Sequence, residues 1–203
     1  MNLPNRLTLA RIILIPVFMV FLLLRLPKGQ EFFYSQSFVA AAIFLLASLT
    51  DGLDGYVARK RKQVTRLGQF MDPLADKLLV SAALISLVEL QLVPAWIAWV
   101  IISREFAVTG LRAIAAADQV VIPASKLGKV KTVTQIIAIS AYLLHDWPLS
   151  LIGIRLSGWF IYVALVFTVI SGLDYLIKGR KFLRSAEKPK RRKFRFSRRP
   201  RRK

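Results

Sequence analysis

Cysteine is absent from the 203 residues, so neither a disulfide nor a thiolate metal site can form, and any chemistry falls to oxygen and nitrogen groups. Histidine occurs once. His145 stands beside Asp146 and Trp147, a whole apolar segment away from the main carboxylate cluster, and reads as an interfacial residue. Acidic residues number 11 against 31 Lys and Arg, for a formal net charge of +20. A cleavable signal peptide is not evident: the first apolar run is long and lacks the short core and small-residue cleavage site of one, so the first segment is expected to stay. No internal repeat is visible either, which argues against a secondary transporter, whose halves repeat and whose intramembrane charges are reached from both faces.

What the chain does contain is apolar sequence in long runs. Just over half the residues are hydrophobic, 55%, and the runs are long enough to cross a bilayer, which takes about 20 residues as a helix. The expected fold is an all-α integral membrane protein with six transmembrane helices and a polar cavity open to the cytoplasm. The spans are Leu7–Leu26, Phe38–Tyr56, Leu74–Leu92, Pro94–Ala116, Val130–Leu144 and Gly153–Ile177, the fifth being short and able to extend back to Lys126. Near one membrane face the connections carry only Arg25, Lys28 and Arg155, whereas the connections after spans two and four and the C-terminus hold most of the other basic residues. By the positive-inside rule both termini face the cytoplasm. Two regions follow: a membrane domain over 1–177 and a basic tail over 178–203. Trp96, Trp99, Trp147 and Trp159 read as interface or packing aromatics.

Between spans two and three the chain reads DGLDGYVARKRKQVTRLGQFMDPLADK. On helices at about 100° per residue, Asp51, Asp54, Gly55 and Ala58 share one stripe, and Asp72 and Asp76, four apart, share a face of the next helix. Four carboxylates at the edge of hydrocarbon need compensation. Gathered between two helices, they offer hard oxygen donors for Mg²⁺ or Mn²⁺, as a pair of ions holding phosphates. Gly55 and Ala58 leave room for a ligand against the helix backbone, and Arg59 supplies a planar fork for phosphate. Asp76, one turn beyond Asp72, can touch a metal and also act as general base. Lys60, Arg61, Lys62 and Arg66 read as positive-inside charge.

The spacing D-x2-D-G-x2-A-R-x8-G-x3-D-x3-D, filled by Asp51, Asp54, Gly55, Ala58, Arg59, Gly68, Asp72 and Asp76, resembles the signature of the CDP-alcohol phosphotransferases. The resemblance implies a donor of the CDP-alcohol type, here CDP-diacylglycerol, a bacterial cytoplasmic membrane location, and a homodimer. It also implies nucleotide contacts from Thr65, which stands three residues before Gly68, and from Asn5 and Thr8 in the N-terminal PNRLTLAR run.

Span four interrupts its apolar run with Ser103-Arg104-Glu105, then Gly110 and Arg112. Arg104 falls about 15 Å along the span at 1.5 Å per residue, near the midplane, so it must be paired or line a wet cavity. Glu105 and Arg112 lie on one face and Arg104 within about 80° of Arg112, so all three can border one pocket. For Glu105 a purely structural pair with Arg104 stands equally open. Ser125 can cap the next helix, and Lys129 and Lys131 follow, about 200° apart on a regular helix, so both can reach one ligand only if the helix starts late or the side chains wrap round. Together, SRE, GLR and LGKxKT resemble the branch of the family that makes phosphatidylglycerophosphate. That resemblance implies glycerol 3-phosphate as acceptor, its phosphate held by Arg104, Arg112, Lys129 and Lys131. Inositol phosphate, serine and phosphatidylglycerol stay open as acceptors within the family.

Near its cytosolic end span six carries Ser171, Gly172 and Asp174, and Asp174 reads as a helix-end charge that can also border the cavity. From Lys178 onward there are 15 Lys or Arg residues against one acid, Glu187. Such a block is expected to be disordered and to lie on anionic lipid at the membrane surface. Its few aromatics are too sparse for a stacking platform, so no nucleic-acid partner is expected.

Overall fold

In a computed structural model the backbone is described for residues 3–24, 30–60, 66–117 and 125–186, and side chains for 8–24, 35–50, 71, 74–116, 125 and 127–177. The described residues form six α-helices and no strand: α1 (Leu3–Leu23), α2 (Gln30–Lys60), α3 (Arg66–Glu89), α4 (Ala95–Ala117), α5 (Lys126–Leu143) and α6 (Ser157–Ala186), with a 3₁₀ turn over Leu149–Ile152. The helix count matches the expectation, but the boundaries do not. α2 continues through Lys60, past Tyr56, and α6 runs to Ala186, past Ile177. The apolar run marks only where a helix would be bathed in lipid; its backbone hydrogen bonds can carry it further into water. α5 takes the earlier of its two possible starts because Ser125 caps it, its side chain accepting from the Gly128 N–H at 3.0 Å.

α1 packs most closely on α3, and α5 on α6; α4 lies against α3 and α6, while α2 touches α1, α3 and α5. The core is built where large and small side chains meet. Phe18 and Leu22 of α1, Phe44 of α2, Leu84 and Leu87 of α3, Ile97 and Ile101 of α4, Ile139 and Leu143 of α5, and Ile161 of α6 are all fully buried. Ala40, Ala41, Ala83, Ala138 and Ala164 beside them are also closed off, which lets the helix backbones approach. The outward faces are apolar too. Leu46, Leu49, Trp99, Val166 and Leu173 are exposed, so apolar side chains lie on the outward faces of α2, α4 and α6 as well as in the core. Of the six spans expected, one is found long and apolar enough to cross a bilayer among the described residues, Ser157–Ile177; Thr8–Leu23 and Ser35–Thr50 are shorter apolar helices.

Buried polar side chains tie the helices together. Gln36 donates to the carbonyls of Phe21 and Leu24, both at 3.3 Å, closing the C-terminal end of α1. Gln135 donates to the Thr168 hydroxyl at 3.0 Å, linking α5 to α6. At the α5–α6 corner Asp146 accepts from the N–H groups of Leu156 (3.2 Å) and Ser157 (2.7 Å) and from the Ser157 hydroxyl (2.8 Å), capping α6. Those bonds hold His145 and Asp146 in left-handed backbone, with φ of 51° and 59°. Burial pushes the His145 imidazole below its ordinary range, against the pull of the Asp146 carboxylate. The neutral form is therefore favoured in the fold, and its contribution, full above the ordinary imidazole value, is lost as pH falls through the depressed one.

Candidate functional site

A cavity of about 390 Å³ opens between α3, α4, the N-terminal turns of α5, and α6. Five basic side chains line it, Lys77, Arg104, Arg112, Lys129 and Lys131, against one acid, Glu105, so the space carries a positive surplus that suits an anion. Ordinary helix geometry brings them there. Arg104, Glu105, Thr109 and Arg112 recur along one side of α4, and the cap at Ser125 starts α5 early enough that Lys129 and Lys131 both fall within its first two turns. Although these two lysines are widely separated around the helix, both reach the lining: Lys131 is buried against its inner wall and Lys129 is exposed at the rim.

Glu105 is the hub of the inner wall. Only 4% of it is exposed, and its carboxylate takes Lys77 Nζ at 3.1 Å, Arg104 Nη1 at 3.1 Å, and Lys131 Nζ. The sequence left a structural role and a pocket role for Glu105 equally open; the geometry gives it both, since it joins three helices and forms part of the lining. Lys77 also lies 2.6 Å from Asp76 Oδ2. A continuous run of ion pairs thus joins Asp76, at the far end of the aspartate motif, to the cationic cavity.

Of the predicted acceptor residues, Arg104, Arg112, Lys129 and Lys131 come together in this lining. Asp174 is not part of it, and because α6 continues to Ala186 it is not a helix-end charge either. Thr8 is buried on α1 and is not among the lining residues. For the aspartate motif the backbone places Asp51, Asp54, Gly55, Ala58 and Arg59 in the last turns of α2, and Gly68 and Asp72 in the first turns of α3, two helices that touch. Their side chains, and that of Asn5, lie outside the described residues, as does Thr65 altogether. Among the described residues no group of three His, Cys, Asp or Glu side chains forms a metal site, and Asp76 is the one motif carboxylate they include.

Sequence reasoning passed over Lys77. Its signal was available, because a lysine within an apolar span needs a partner as much as Arg104 does. Ser171 and Tyr175 gave no such signal. Their contribution comes from contacts with Arg104, whose Nη2 donates to the Ser171 hydroxyl at 2.8 Å and whose guanidinium lies 5.7 Å from the Tyr175 ring centre.

Among the described residues the arrangement is all-helical, with apolar flanks and an open, predominantly cationic cavity coupled to a carboxylate. The chain belongs to the CDP-alcohol phosphatidyltransferase family, whose profile matches residues 1–170. It is 51% identical over 190 residues to the CDP-diacylglycerol–glycerol-3-phosphate 3-phosphatidyltransferase of Bacillus subtilis, covering 91% of this chain and 98% of the relative. The protein of the same name from Rickettsia felis is 37% identical over 182 residues, covering 89% of this chain and 97% of the relative. A probable phosphatidylglycerophosphate synthase from Mycobacterium tuberculosis is 40% identical over 179 residues, with 88% and 81% covered.

Proposed function

We propose that the protein is a six-span enzyme of the bacterial cytoplasmic membrane that transfers the phosphatidyl group of CDP-diacylglycerol to sn-glycerol 3-phosphate, releasing CMP. The observation that carries this reading is the convergence of Arg104, Arg112, Lys129 and Lys131 on one cavity linked through Lys77 to Asp76. A phosphorylated alcohol bound by those cations would present its hydroxyl toward the aspartate motif. Serine, which has no phosphate, would leave their charge unmatched. The apolar outer faces of the helices suit a donor whose acyl chains stay in lipid.

Asp51, Asp54, Asp72 and Asp76 are the residues that would hold Mg²⁺ or Mn²⁺, and carboxylate oxygens are the donors such hard cations prefer. When bound, a pair of these ions offsets the charge of the pyrophosphate and of the departing nucleotide. Around them, Gly55 and Ala58 leave the helix surface free for the nucleotide, with Arg59, Gly68, Thr65, Asn5 and Thr8 contributing contacts to it. Asp76 accepts the proton of the acceptor hydroxyl as its oxygen bonds to the diacylglycerol-side phosphorus and the bond from that phosphorus to the CMP oxygen breaks. Arg104, Arg112, Lys129 and Lys131 fix the acceptor phosphate, turning an encounter of two substrates into an oriented attack. The family resemblance supports a homodimer, and the basic tail from Lys178 is suited to anionic lipid at the cytoplasmic surface.

Detergent-purified protein given CDP-diacylglycerol, Mg²⁺ and each labelled acceptor in turn is expected to form phosphatidylglycerophosphate and CMP with glycerol 3-phosphate. Chelation should stop the reaction and added Mg²⁺ or Mn²⁺ should restore it. Product with inositol phosphate or serine, and none with glycerol 3-phosphate, would reverse the acceptor assignment.

A further inference from the structure

α6 contributes no cation to the cavity, yet one short face of it holds the cations in place. The Ser171 hydroxyl is fully buried and has a defined direction: it donates to the Thr168 carbonyl at 3.2 Å, which leaves its lone pairs for Arg104 Nη2 at 2.8 Å. At the next residue, Gly172, an added Cβ would sit 3.1 Å from Arg104 Cγ, so a side chain there would press on the arginine stem and displace it by a few tenths of an ångström. One turn on, the Tyr175 ring lies beside the same guanidinium, 5.7 Å from its centre. The Tyr175 hydroxyl accepts the Ser125 N–H at 3.0 Å, and a side chain at Gly128 would come within 3.7 Å of the phenol. Ser125 is the residue that caps α5, whose first turns carry Lys129 and Lys131.

We propose that Ser171, Gly172 and Tyr175 are positioning residues: from α6 they set the separation between Arg104 on α4 and the capped start of α5, and so tune the cavity to a phosphomonoester. The inference rests on reading the cavity as the acceptor site. Glu105 alone cannot do this work. It ties α4 to α5 through Lys131, but that link falls in the second turn of α5, beyond the cap, and it approaches Arg104 from the same helix, so the Arg104 side chain is set against the capped turn from α6. Tyr175 touches Arg104 through its ring and the capping residue Ser125 through its hydroxyl.

The test is the kinetics of Ser171→Ala, Tyr175→Phe and Arg104→Ala, and of the Ser171→Ala/Arg104→Ala double variant, with each substrate varied separately. Removing one hydrogen bond to a charged group corresponds to roughly a ten-fold change. Ser171→Ala is therefore expected to raise KM for glycerol 3-phosphate by about that factor, with KM for CDP-diacylglycerol and kcat within about two-fold of the parent. Tyr175→Phe keeps the ring and loses the link to Ser125, and is expected to raise the same KM several-fold. Because Ser171 acts through Arg104, Ser171→Ala should add nothing once Arg104 is gone. Full additivity in the double variant, or an equal rise in both KM values, would mean a structural role only and would overturn the inference. If Arg104→Ala raises KM for glycerol 3-phosphate while Ser171→Ala and Tyr175→Phe do not, the positioning role is wrong and the acceptor site stands. If Arg104→Ala leaves that KM unchanged, the acceptor site itself is misplaced and the inference falls with it.

Discussion

Asp76→Asn is expected to lower kcat by at least about 10³-fold while leaving CDP-diacylglycerol binding within a few-fold of the parent. The substitution keeps the shape of the side chain and removes both its charge and its ability to take a proton. Loss of a positioned general base alone removes roughly 10²–10⁴ in rate, and loss of a carboxylate oxygen from a metal pair adds to that. The variant should still fold. Lys77 loses its contact with Asp76 but keeps Glu105 at 3.1 Å, so no buried ammonium is left without a counter-ion. Asp76 is itself partly open, with 29% of its side chain exposed, so its removal costs little packing. Release of labelled CMP, measured beside equilibrium binding of the donor, checks the outcome. Turnover within ten-fold of the parent would reject Asp76 as the base.

The second large effect is expected at Glu105. Glu105→Gln leaves Lys77, Arg104 and Lys131 gathered around a neutral amide in a site that is 4% exposed. Breaking a buried ion pair by removing one partner costs about 3–5 kcal/mol, and here one carboxylate serves three cations. For a chain of this length that corresponds to a fall of roughly 10 °C in the thermal midpoint. Three mutually repelling cations should also spread, so the variant that survives purification is expected to bind glycerol 3-phosphate weakly. A thermal scan in detergent tests this, and an unchanged midpoint would show that Glu105 is not the common counter-ion. Exchanging the charge partners within the cluster offers no easy repair, because Lys77, Arg104 and Lys131 come from three different helices and meet only there.

Much of this was legible before any coordinates, because charge inside an apolar run is expensive and must be explained. Arg104, Glu105 and Arg112 interrupt α4 at positions that fall on one side, and helix periodicity alone was enough to group them. The cap at Ser125 likewise announced an early start for α5, but Lys129 and Lys131 then stand about 200° apart, and their meeting at one space is expected from the sequence only for a late start or side chains that wrap round. The helix starts early, with Lys131 buried and Lys129 exposed, and both still reach the lining. Lys77 carried the same kind of signal and was overlooked beside the more conspicuous Asp76. Helix ends were read less well. The limits of α2 at Lys60 and α6 at Ala186 follow from backbone hydrogen bonding and not from hydropathy, so an apolar window stops short of them. Ser171 and Gly172 stand out in the sequence only as small residues beside Asp174 near the cytosolic end of span six, and Tyr175 does not stand out at all. Each is ordinary for an apolar helix, and its importance comes from where the Arg104 side chain crosses α6.

The central claim is that the cationic cavity takes the phosphate of the acceptor and that the aspartate motif takes the nucleotide of the donor. Arg112 separates the two, because it lines the cavity, is exposed, and lies outside the Glu105 cluster. The decisive measurement is the pair of KM values of Arg112→Ala, one for each substrate. KM for glycerol 3-phosphate should rise about ten-fold or more, the size of a lost charge-assisted hydrogen bond, with KM for CDP-diacylglycerol unchanged. A variant in which only the CDP-diacylglycerol value moved, or neither did, would contradict the assignment of the two sites.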